Sequence, residues 1–323
     1  MADLRNGTLP VISGAAARKD AFQAPVKSGL FDPMREHDAC GVGFIVNLRN
    51  RKSQQIVQNG LRILENLEHR GAVGADPLMG DGAGIMVQIP HRFFVKEGQR
   101  LGFSVPAPGQ YAVGFIFMPQ EIELREKMES VVSRVIEDEG QIVLGWRDVP
   151  FDNSSLSKSP EITATEPRHR QVIIGRGEGI VDEDAFERKL YIIRKVCSSK
   201  IYSAFEGKPN DFYIVSMSCR TLVYKGMFLA AQLGAYYPDL HDETFESALA
   251  LVHQRFSTNT FPSWRLAHPY RFVCHNGEIN TVRGNVNWMA ARQASVSSPL
   301  FGGDIQKLWP ISYPGQSDTA WPG

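Results

Sequence analysis

The sequence predicts an α+β fold built in layers, and three observations predict it. Short apolar runs of strand length come in neighbouring pairs. Longer stretches with apolar residues three and four positions apart lie between those pairs. The two kinds do not alternate one for one, as a doubly wound parallel sheet would require. In chain order, Val42–Leu48 reads as a buried strand. Ser53 stands where a helix cap belongs, and Ile56, Val57, Leu61, Leu64 and Leu67 recur at helical spacing to about His69, with Gly71 as a stop. Gly84–Ile89 and Tyr111–Met118 read as strands. Glu121–Glu139 is predicted as an amphipathic helix through Leu124, Met128, Val131, Val135 and Ile136, ended by Gly140. Strands follow at Gln141–Trp146 and Gln171–Gly175, separated by a polar surface loop over Phe151–Pro167. Asp182 is the expected cap of a helix to Ser199. Phe212–Ser216 and Arg220–Tyr224 suggest strands paired with each other, Leu249–Phe256 and Phe272–His275 short apolar strands, and Thr281–Arg292 a helix.

Composition excludes several function classes. The chain has 323 residues, 43% hydrophobic and 22% charged, which is ordinary for a soluble globular protein. Its 35 basic and 35 acidic side chains cancel, so no excess of positive charge points to nucleic acid or an anionic membrane. No apolar run approaches the length of a membrane span. The four cysteines, Cys40, Cys197, Cys219 and Cys274, form no C-x-x-C pair and have no histidine at metal spacing, so no metal site is expected. Reduced thiols in a cytoplasm fit this usage. Residues 1–39 are rich in Gly, Ala and Pro, lack the apolar block of a secretory signal, and hold Asp3, Asp20, Asp32, Glu36 and Asp38, which speaks against a transit peptide. They read as a propeptide or leader, with one domain over 40–323.

The most telling residue is Cys40, which follows that leader and opens the apolar run Val42–Val46. Cleavage after Ala39 would leave a thiol and a free α-amine on one residue. An α-amine titrates near ~7.7–8.0 and serves as a base at working pH. A nucleophile activated by its own N-terminal amine is an established device. Taken alone, Cys40 fits a buried structural cysteine at a strand start better; the rest of the chain reverses that reading. HQRFSTNT, residues 253–260, offers Arg255 as a planar fork of donors for a carboxylate, with Ser257 and Thr258 adding hydroxyls, or simply a surface Arg with a turn. CHNGEI, residues 274–279, places the Asn276 amide beside the Gly277 N–H, two donors that can form an oxyanion hole, or simply a tight turn. GQSDT, residues 315–319, offers Asp318 for a substrate ammonium, or a solvated turn. The loop Gly80–Gly84 lacks the Lys-Ser/Thr of a P-loop and reads as a tight turn into the next strand.

Together these segments resemble the type-2 glutamine amidotransferase domain, an N-terminal-nucleophile hydrolase, and within it the glutamate synthase family. The resemblance is carried by CGVGFI (40–45), EHRGAVGADPLMGDGAGI (68–85), HQRFSTNTFPSW (253–264), AHPYRFVCHNGEINTVRGNVNWM (267–289) and YPGQSDTA (313–320), in that order. It implies a four-layer αββα sandwich. It implies Cys40 as nucleophile on the glutamine side-chain amide, Asn276 and Gly277 as oxyanion donors, Arg255 on the substrate α-carboxylate and Asp318 on its α-ammonium. It further implies ammonia release to a synthase domain that aminates 2-oxoglutarate. In the complete family enzyme FMN and an iron–sulfur cluster carry electrons from a partner subunit or ferredoxin. The family's domain runs past the point where this sequence stops, so a C-terminally incomplete domain is expected, with no cofactor of its own. Another type-2 amidotransferase, and an inert remnant or interaction module, are the competing readings.

Overall fold

The computed structural model describes residues 41–71, 76–205, 212–255, 261–275 and 281–311, all within the unit Cys40–Gly323. Among the described residues eight strands form two antiparallel sheets. The first sheet holds β1 (Val42–Val46), β2 (Ala83–Gln88), β7 (Thr221–Gly226) and β8 (Leu249–Gln254) in the order β1-β8-β2-β7. The second holds β3 (Tyr111–Met118), β4 (Ile142–Asp148), β5 (Arg168–Gly175) and β6 (Tyr213–Ser218) in the order β4-β5-β3-β6. The helices are α1 (Gln54–Asn66), α2 (His91–Leu101), α3 (Ile122–Asp138), α4 (Pro160–Thr165), α5 (Glu183–Ala204), α6 (Gln232–Tyr236) and α7 (Val282–Arg292).

Strand β3 shows how the sequence distributes itself between cores. All of its residues are buried, and successive side chains of a strand point to opposite faces. Val113, Phe115 and Phe117 join a core shared with Ile85, Val87, Tyr224, Ala250 and Val252 of the first sheet and with Val57, Leu61 and Leu64 of α1. Ala112, Ile116 and Met118 join a second core with Met128, Val132 and Val135 of α3 and Phe186, Leu190, Ile193 and Cys197 of α5. The second sheet is thus apolar on both faces, one toward the first sheet and one toward two helices.

A buried polar network fastens this arrangement. Arg147 on β4, 2% exposed, donates to both carboxylate oxygens of Asp239 at 2.7 Å, to Glu97 of α2 at 2.6 Å and to Gln171 of β5 at 3.0 Å. The Tyr224 hydroxyl of β7 donates to Asp239 at 2.7 Å, which links the two sheets.

Several expectations need correction. Ser53 does precede α1, but its side chain makes no capping bond; its backbone pairs with Ser247 instead. Helix α2 was not expected, and it forms because Phe93 and Phe94 bury against the shared core. The loop Phe151–Pro167 contains α4, started by Pro160 and capped by Ser159, whose hydroxyl accepts the Ile162 N–H at 3.4 Å. Strands β6 and β7 do not pair with each other. The Ser218 hydroxyl accepts the N–H groups of Arg220 and Thr221, closing the turn, and the two strands pass to different sheets. Phe272–His275 is not a strand: the Val273 carbonyl accepts the N–H of Tyr270, three residues before it, and Phe272 faces outward. The Asp182 cap does form, accepting the Ala185 N–H at 2.7 Å.

Candidate active site

One end of the first sheet gathers three of the singled-out segments. Strand β8 runs between β1 and β2, with His253 opposite both Val42 and Gly84. Past the ladder, the Gln254 N–H donates to the Gly41 carbonyl and the Arg255 N–H donates to the Gly82 carbonyl, both at 2.8 Å. The residue after Cys40, the residue before Arg255 and the glycine turn before β2 are therefore held together by backbone bonds. His253, Gln254 and Arg255 are all buried. Gly82 has φ +137°, so the turn needs glycine, as the sequence indicated.

Residues 261–275 lie across the same end of the sheet. A side chain at Gly84 would strike the His268 carbonyl, so glycine is required there by close approach. The wholly buried Lys225 of β7 donates to the carbonyls of Arg265 at 3.0 Å and Ala267 at 2.6 Å. Its ammonium lies 4.4 Å from the Tyr270 ring centroid and 4.9 Å from that of Tyr213. Burial pushes the Lys225 ammonium down to about 8. Burial alone would raise the Tyr213 phenol, but the charges of Arg271 and Lys225 outweigh it and bring it down to about 8. The His268 ring stacks on His253 with centroids 4.3 Å apart. The His253 Nε2 lies 3.0 Å from the His275 carbonyl, one residue before Asn276. Burial pushes His253 down to about 4 and lowers His268 as well, so both rings are neutral at pH 7.

A second anchor lies where residues 302–311 meet α5. Lys195, buried on that helix, donates to the carbonyls of Pro310 at 2.6 Å and Ile311 at 2.9 Å. Burial brings this ammonium down to about 7. Lys189 bonds Asp304, and Lys307 bonds Glu139.

Of the site residues expected from the sequence, Arg255 is described and sits at the end of β8 beside Gly41 and Gly82. Cys40, Ser257, Thr258, Asn276, Gly277 and Asp318 lie outside the described residues. Among the described residues no group of three or more His, Cys, Asp or Glu is placed to hold a metal ion. Sequence reasoning missed Lys225, His253, His268 and Lys195. A lysine inside the apolar run Thr221–Gly226 was the one available signal, since an unpaired ammonium does not belong in a central strand.

Comparison with known proteins shows the family. The family described as "Glutamine amidotransferases class-II" matches residues 40–321. The chain is similar to the glutamate synthase [NADPH] large chain of Bacillus subtilis (strain 168), 46% identical over 298 residues, covering 92% of this chain and 19% of that protein. It is similar to the glutamate synthase [NADPH] large chain of Azospirillum brasilense, 45% identical over 291 residues, with 90% and 19% covered. It is 40% identical over 311 residues to ferredoxin-dependent glutamate synthase 2, chloroplastic, of Arabidopsis thaliana, with 95% and 19% covered. The chain spans about a fifth of the length of these relatives.

Proposed function

The chain belongs to the class-II glutamine amidotransferases, and we propose that it hydrolyses the side-chain amide of L-glutamine with Cys40 as nucleophile. The observation that carries this reading is the backbone bond between Gln254 and Gly41, which brings the Arg255 end of β8 to the residue next to Cys40. In this reading residues 1–39 are a leader whose removal frees the Cys40 α-amine. The amine takes the thiol proton as sulfur attacks the amide carbon, and returns it to the departing ammonia. The resulting thioester is hydrolysed by water to glutamate. Asn276 and the Gly277 N–H stabilise the oxyanion of each tetrahedral intermediate. Arg255 holds the α-carboxylate with Ser257 and Thr258 beside it, and Asp318 holds the α-ammonium.

The two sheets sharing one core, with α1 against the first and α3 and α5 against the second, support an αββα layering for this domain. The likeness to glutamate synthases supports a wider role: ammonia delivered to a synthase region that aminates 2-oxoglutarate. FMN, an iron–sulfur cluster and an electron-donating subunit or ferredoxin would serve that region rather than the residues of this domain. Among the described residues no helix is long and apolar enough to cross a membrane; a cytoplasmic location is part of the same proposal.

The deciding experiment treats the complete protein encoded by the gene with 6-diazo-5-oxonorleucine and maps the adduct by mass spectrometry. The expected product is a chain beginning at Cys40, labelled at Cys40 and inactive as a glutaminase. Cys197 and Cys219 should stay unlabelled, because burial raises both thiols and keeps them protonated. An active protein that retains residues 1–39, or an adduct elsewhere with Cys40 untouched, refutes the mechanism.

A further inference from the structure

The segment that enters the proposed oxyanion donors is held by a ring that the reaction itself does not use. His253 projects from β8, two residues before Arg255, and is 3% exposed. Its strand is paired on both sides, so the ring has a rigid base. A carbonyl oxygen can only accept, so the 3.0 Å contact with His275 means that His253 carries its proton on Nε2. The ring is neutral, and Nδ1, left without a hydrogen, has no partner among the described residues. The face of the same ring stacks on His268, with an interplanar angle of 23°. One side chain thus touches residues 261–275 at two places, and the second is the peptide leading directly to Asn276.

We infer that His253 is a positioning residue for glutamine hydrolysis: its Nε2–H fixes the peptide that enters Asn276-Gly277 relative to the strand that delivers Arg255. This rests on the proposed role of Asn276 and Gly277 as oxyanion donors. The stacking on His268 needs only an aromatic ring, whereas the bond to His275 needs a donor at the Nε2 position. The two functions separate by substitution. Gln keeps a donor at nearly that reach without the ring, Met keeps neither, and Phe keeps the ring without the donor.

The test compares H253Q, H253M and H253F in the complete protein encoded by the gene, by glutaminase kinetics, thermal melting and adduct formation with 6-diazo-5-oxonorleucine. Misplacement of catalytic groups by about 1 Å costs about 10²-fold. The expected result is that H253M and H253F lose about 10²-fold in kcat, within about threefold of the parent KM, while H253Q recovers about tenfold or more over H253M. Should H253M not melt cooperatively, H253F takes its place in the comparison. Parent-like kcat in H253M or H253F overturns the inference, and so does an H253Q no faster than H253M. If the unaltered protein is labelled at Cys40 in these experiments, that failure belongs to the inference alone. Glutamine hydrolysis without labelling at Cys40 overturns the proposed mechanism and the inference with it.

Discussion

Replacing Arg147 by methionine tests how the two sheets are held. The guanidinium is 2% exposed and makes four hydrogen bonds, two to Asp239 and one each to Glu97 and Gln171. Burial disfavours its charge, but the hydrogen bonds and charge of Asp239 outweigh that and raise its pKa. Methionine fills much of the volume, so the cost arises from what is left behind. Asp239, 4% exposed, would keep only the Tyr224 hydroxyl among these donors, and Glu97 only the Arg100 guanidinium, which is 59% exposed. Breaking a buried pair by removing one partner costs about 3–5 kcal/mol, because the remaining charge stays buried. For a domain of this size that corresponds to a drop in Tm of about 6–20 °C at about 2–4 °C per kcal/mol. Urea unfolding followed by circular dichroism reads it directly, with a lower midpoint at unchanged slope. Adding Asp239→Asn removes the stranded charge, so the double variant should be more stable than the sum of the single effects by about 1–3 kcal/mol. An R147M protein within about 1 kcal/mol of the parent, or a strictly additive double variant, would refute the argument that this network ties the sheets together.

Other outcomes follow from the site. Asn276→Ala should lower kcat by about 10²–10³ if its amide faces the developing oxyanion; a change in KM alone would remove it from that role. Arg255→Lys should chiefly raise the KM for glutamine, because a point charge replaces a planar fork; a purely kcat effect in steady-state assays would contradict carboxylate binding. Acid should destabilise the fold. Burial pushes His169 down to about 3 and His253 to about 4, from an ordinary value of 6.5. Between pH 6.5 and 4 the unfolded chain binds protons that the folded chain does not, so stability is present above 6.5 and lost on acidification. The slope is about 1.4 kcal/mol per pH unit for each histidine. Urea midpoints at pH 7, 6 and 5 measure it, and a midpoint constant over that range would show these rings protonate without cost.

The sequence alone determined what local chemistry determines. Periodicity located α1, α3 and α5 to within a few residues, because each buries a face whose spacing repeats along the chain. Apolar runs located β3, buried on both faces, and β1, which is not the buried strand expected, since Phe44 and Val46 are exposed. The Asp182 cap and the glycine turn at Gly82 were legible because a cap and a left-handed φ act within a few residues. The motif segments and their order identified the family. Only the tertiary structure decided that β6 and β7, neighbours in sequence, belong to different sheets, because a strand's partner is set by which core its faces can fill. Only the tertiary structure made Lys225, Lys195 and His253 intelligible. Each is buried, and each is satisfied by carbonyls that come from distant parts of the chain: Arg265 and Ala267, Pro310 and Ile311, and His275. A buried donor is paired by whatever backbone the fold brings to it, and that backbone cannot be named until the chain has folded.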